Sequence, residues 1–63
     1  MKKYVVEIVS GEMVTSRQLV EAHTAAAAAS RATGRAVRIR ANEELWVRVT
    51  DEQNRAVYKY AFQ

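Results

Sequence analysis

The chain has 63 residues, 49% of them apolar and 27% charged, with one His, no Cys, no Pro and a net charge of +3. That length leaves room for one domain, residues 1–63, whose small core has neither a disulfide nor a Cys-based metal site to support it. The apolar content excludes a disordered chain, and no run approaches the roughly 20 apolar residues of a membrane-spanning helix.

Met1-Lys2-Lys3 leads into "YVVEIV", where alternation and Glu7 argue against a signal peptide, and a cytoplasmic location is expected. "KKYVVEIV" reads as a strand with Tyr4, Val6 and Ile8 on one face and Val5, Glu7 and Val9 on the other. A turn at "SGE" follows. The next stretch, "MVTSRQLVEAHTAAAAASRATG", has two readings. Thr15 and Gln18 have capping-box spacing, with Val14 and Leu19 as a hydrophobic staple, which gives one long helix and a βαββ order. Alternatively the chain turns at Gly11-Glu12, returns as a strand from about Val14 to Ala22, and starts its helix after Thr24 as N-cap. The second reading is favoured, because Thr directly before five alanines is better explained as a cap than as an interior residue. In both, Gly34 ends the helix, and Ala25, Ala28, Ala29 and Ala32 form one smooth face opposite Ser30, Arg31 and Thr33.

"AVRIRA", "ELWVRVT" and "AVYKYAF" then alternate, separated by Asn42-Glu43 and "DEQNR", polar segments that read as hairpin loops joining antiparallel strands. Alternation sends Val37, Ile39, Leu45, Val47 and Val49 toward the helix, together with Tyr58, Tyr60 and Phe62. It leaves Arg38, Arg40, Trp46, Arg48 and Lys59 on the other side. The expected fold is therefore α+β: a single antiparallel sheet, ββαβββ, with one α-helix packed on one face and the other face open.

The charge is uneven. Three basic side chains balance three acidic ones in residues 1–30, and residues 41–63 are slightly acidic, so the whole excess lies in Arg31, Arg35, Arg38 and Arg40. Such a run reads either as a solvated face that maintains solubility or as a site for phosphates or an acidic protein surface. Guanidinium forks match phosphate oxygens, and Trp46 either stands exposed among them or packs under a loop or a second copy of the chain. Only Glu44, at the strand edge, is expected to neutralise the arginine row. The candidate binding residues are Arg31, Arg35, Arg38, Arg40, Trp46, Arg48 and Lys59. Two or three stacking aromatics in an RNP1 pattern, as RNA-recognition sheets carry, are missing.

Catalytic chemistry is not expected. His23 has no nucleophile or carboxylate at a suggestive position, and Glu43-Glu44 and Asp51-Glu52 are adjacent pairs whose side chains point apart in extended chain. No phosphate-binding glycine loop or metal-ligand spacing occurs, so neither a cofactor nor a metal is expected.

As a layout, "KKYVVEIV", the strand-to-helix passage "VEAHTAAAAAS", "AVRI" after the helix and the closing hairpin "LWVRVTDEQNRAVYKYAF" resemble the small phage-encoded anti-CRISPR proteins. The similarity is to a type I-F inhibitor with an antiparallel sheet and one helix. The resemblance implies a non-enzymatic inhibitor in the cytoplasm of a bacterial host. Such an inhibitor docks on the nucleic-acid-binding surface of a CRISPR effector complex and blocks hybridisation to target DNA, with basic side chains linked to DNA held by that complex. It carries over no contact residue. The basic charge departs from the acidic DNA mimics of the wider group and leaves binding to an acidic patch, or joint binding with nucleic acid. Two other expectations stand beside it: an autonomous nucleic-acid-binding module using the basic sheet face, and a structural subunit whose open face is buried in a homodimer.

Overall fold

In the computed structural model, which describes residues 1–63, the chain reverses at Gly11-Glu12, and strands β1 (Lys2–Ser10) and β2 (Met13–Ala22) form an antiparallel hairpin. Gly11 has φ +63°, the left-handed conformation that a two-residue turn requires and that glycine adopts without a Cβ clash. Residues 14–22 are thus strand, and no helix starts at Thr15. That residue lies at a bulge instead: Ile8 pairs with Ser16 and Val9 with Val14, and the Thr15 hydroxyl donates to the Ile8 carbonyl at 3.2 Å.

The helix α1 (Ala25–Thr33) starts where its cap is. Thr24 is extended and its Oγ1 accepts the Ala27 N–H at 3.1 Å, and at the other end Gly34 adopts φ +72° and donates its N–H to the Ser30 carbonyl at 2.8 Å. Ala25, Ala28 and Ala29 are buried and Ala32 packs beside them, as the spacing predicts. Against this smooth stripe the strands bring Tyr4, Val6, Val47 and Val49, with Val20, Val37, Tyr60 and Phe62 at the margin. Small helix side chains allow a close approach, and the large strand side chains fill the layer.

Strands β3 (Val37–Ile39), β4 (Leu45–Asp51) and β5 (Val57–Phe62) complete a five-stranded antiparallel-paired sheet in the order β2-β1-β4-β5-β3, giving the α+β ββαβββ fold. One connection differs from expectation. Residues 40–44 are not a hairpin loop, because β3 pairs with β5, and β4 is already taken on both edges by β1 and β5. The three-residue β3 closes the outer edge of β5, extended by the Arg40 N–H to the Lys59 carbonyl and the Gln63 N–H to the Ala36 carbonyl, each 3.1 Å.

Three residues expected to meet the helix are left largely exposed. Ile39 is 76% exposed and Leu45 47%, since a nine-residue helix spans only about 14 Å and leaves the sheet's ends bare. Tyr58, the first of the three aromatics in β5, is likewise half-exposed while Tyr60 and Phe62 pack on the core. At the far end of β4, Asp51 is buried and closes the β4–β5 loop by accepting the Gln53 N–H at 2.9 Å and the Lys2 ammonium at 3.3 Å. No helix is long and apolar enough to cross a membrane.

Candidate polyanion-binding face

On the sheet face away from α1 the register sets two neighbouring rows of side chains. Val9, Trp46, Ala61 and Arg38 are successive partners across β1, β4, β5 and β3; Arg17, Glu7, Arg48 and Lys59 are successive partners across β2, β1, β4 and β5. Arg40 joins the second row through its backbone bond to Lys59.

The first row is a second, smaller apolar cluster. Val9 and Ala61 are almost fully buried, and Trp46 is only 7% exposed. Of the two placements open to Trp46, packing is the one that occurs, but cations cover it. The Arg40 guanidinium carbon is 4.5 Å from the indole centroid, the Lys59 ammonium 5.7 Å and the Arg48 guanidinium carbon 5.8 Å. The indole N–H points to the Gly11 carbonyl at 3.4 Å, which ties β4 to the first turn. Trp46 is therefore a floor on which three basic side chains rest, and it offers no open face for stacking.

Neutralisation differs from the expectation that named Glu44 alone. Arg48 Nε donates to Glu7 Oε1 at 2.8 Å, and Arg38 pairs with Glu43. Arg48 holds the Glu7 carboxyl below its ordinary value against the opposing effect of burial. The Glu43 carboxyl is pulled down to about 2 by the Glu43 and Ala41 amides and by Arg38. Arg40 Nε also donates to the Glu43 carbonyl at 3.0 Å, so this loop orients both arginines at the β3 end. Glu44 turns its carbonyl to the Gly11 N–H at 2.8 Å and makes no ion pair with the row. Among the basic side chains of these two rows, Arg17, Arg40 and Lys59 make no ion pair, and Lys3, beside Glu21 on the same face, makes none either.

The other two candidates lie elsewhere. Arg31, on the helix, donates to the Glu21 carbonyl at 2.7 Å, and Arg35 lies over the Phe62 ring at 4.0 Å on the helix side of the sheet. The four arginines of the basic run are thus split between two faces, and only Arg38 and Arg40 join Trp46, Arg48 and Lys59. Sequence reasoning missed Arg17 and Glu7 as members of the row. Glu7 was legible as pointing away from Tyr4, but which strand lay beside it depended on register.

No three His, Asp or Glu side chains are gathered where they could hold one metal ion. Comparison with protein-family models, with curated proteins and with solved structures returns no match.

Proposed function

We propose that this chain is a small non-enzymatic binding protein of the phage inhibitor type. It acts by seating its basic sheet face on an acidic patch, or on bound nucleic acid, of a CRISPR effector complex and so blocks hybridisation to target DNA. The observation that carries the basic-face part of this reading is the convergence of Arg40, Arg48 and Lys59 over Trp46. Arg48 and Lys59 are direct cross-strand partners, an arrangement of like charges that costs stability, and only Arg48 has a carboxylate to offset it. A local cost that is only partly offset is the kind of exception expected where a surface serves to bind anions. The indole holds the cations at fixed positions, so less side-chain freedom is lost when phosphate or carboxylate oxygens arrive. The resemblance in layout to a type I-F inhibitor supports the choice of target.

The test is hybridisation of target DNA by a purified type I-F effector complex, with this protein or its Arg40→Glu/Lys59→Glu variant added. The wild type should block hybridisation near stoichiometric ratios and the variant should need at least about tenfold more protein, as expected for the loss of two charged contacts. Undisturbed hybridisation at excess wild-type protein overturns the inhibitor reading. If the protein instead binds duplex DNA alone, with a log-log salt slope of about −0.9 per phosphate, the same face serves an autonomous nucleic-acid-binding module.

A further inference from the structure

The sheet ends on one side in β2, a ten-residue strand with neither Pro nor Lys, the usual devices that blunt an edge. Its bulge is confined to the turn end, near Val14 and Ser16, and from Ser16 to Ala22 the pairing with β1 is regular. The outward backbone groups can be identified. Lys3 gives its carbonyl to Glu52 on the β4 side, so Lys3, Val5 and Glu7 bond toward β4 and the alternate residues of β1 bond β2. The register then turns the backbone groups of Ala22, Val20 and Gln18 inward and those of Glu21, Leu19 and Arg17 outward. The Glu21 carbonyl, which accepts Arg31 from outside the sheet, agrees with this.

The side chains of these same three residues are arranged symmetrically. Leu19 is 57% exposed, with Arg17 two positions before it and Glu21 two positions after, all on the face opposite α1. We propose that β2 pairs antiparallel with β2 of a second copy about a two-fold axis through Leu19, making one continuous ten-stranded sheet. In that register Leu19 meets Leu19 and each Arg17 meets the other copy's Glu21, twice over. The charges continue the order already present within each chain. Arg48 lies beside Glu7 and Glu7 beside Arg17, while Glu21 lies beside Lys3. Across the axis the row therefore alternates in sign from Arg48 to the second copy's Lys3, with no like charges adjacent. A slip of one or two residues loses this match, so charge fixes the register as well as the partner. The Glu21 carbonyl already accepts one hydrogen bond from Arg31 at this edge, and a carbonyl oxygen has a second lone pair for the incoming Arg17 N–H.

Light scattering on the wild type at about 1 mM should give twice the 7.1 kDa of one chain. Arg17→Glu alone and Glu21→Arg alone should each stay monomeric, since each places two like pairs across the axis. Mixed in equal amounts, they should form a heterodimer in which both pairs are opposite in sign. Isotope-filtered NMR on a mixture of labelled and unlabelled wild type needs no variant to fold, and it should show contacts between the two copies' Leu19. A wild type that stays at 7.1 kDa, a dimer unaffected by either reversal, or a mixture that remains monomeric overturns the proposal.

Discussion

Glu7 and Arg48 stand 41 residues apart in the chain and 2.8 Å apart in the fold, on adjacent central strands, with Glu7 largely buried and Arg48 one-third exposed. Removing the charge in Glu7→Gln should cost about 1 kcal/mol, discounted from a fully buried pair because Arg48 still reaches water. The sign of the pH dependence follows from the lowered Glu7 carboxyl: the stabilisation is complete above the ordinary glutamate range and is lost as pH falls through the folded-state value. Urea unfolding of wild type and variant at pH 7 should therefore show the difference, and the two curves should converge at acid pH, once Glu7 is protonated in both states. Equal separation at both pH values would mean that the substitution acts through packing alone.

Trp46 carries the second apolar cluster, with Val9 and Ala61 as its register neighbours. Trp46→Ala should destabilise by about 3 kcal/mol, the usual range for deleting a buried large aromatic. In the folded wild type at micromolar concentration, acrylamide should quench Trp46 several-fold less than in urea. Shielding of this indole is therefore a property of the monomer, and strong quenching in the folded state would contradict its burial.

The helix and its faces were legible because they rest on local chemistry. Thr24 before an alanine run, Gly34 after it and the four-residue recurrence of small side chains need no long-range partner. The same holds for the split of β4 into Val47 and Val49 on one side and Trp46 and Arg48 on the other. What was not legible depended on which strands became neighbours. Asn42-Glu43 looks like a hairpin loop until β1 takes the edge of β4 that β3 would need, and the Glu7–Arg48 pair exists only because it does. Glu43 sits in a segment that reads only as a polar loop, yet the Glu43 and Ala41 amides and Arg38 hold its carboxylate. Likewise, four arginines in one run of sequence were read as one patch, but the turn after Gly34 divides them between two faces.

Thr24 supplies an N-terminal hydrogen bond to a helix of only nine residues, too short to be stable without its cap and its packing. Thr24→Ala should lower stability by about 1 kcal/mol, and Thr24→Ser should recover most of it, because the hydroxyl is what accepts the Ala27 N–H. Thermal unfolding of the three proteins checks this; a Ser variant as weak as the Ala variant would assign the effect to the Thr methyl group.

The basic residues of the open face differ in what they do for folding. Arg48→Glu places a carboxylate against Glu7 in a part-buried position, exchanging an ion pair for a repulsion, and should cost roughly 2 kcal/mol. Arg40→Glu and Lys59→Glu meet no carboxylate partner. Each removes a cation from Trp46 and, for Arg40, one hydrogen bond to the Glu43 carbonyl, so each should cost at most about 1 kcal/mol. Reversing Lys59 also relieves its like-charge pairing with Arg48, which should offset part of that loss. The Arg40→Glu/Lys59→Glu protein should therefore remain folded, with near-native melting, while its affinity for a polyanion such as heparin falls at least about tenfold and loses most of its salt dependence. A folded double variant that keeps wild-type affinity and salt slope would show that the cations over Trp46 serve solubility, and the polyanion-binding role of this face would be lost with them.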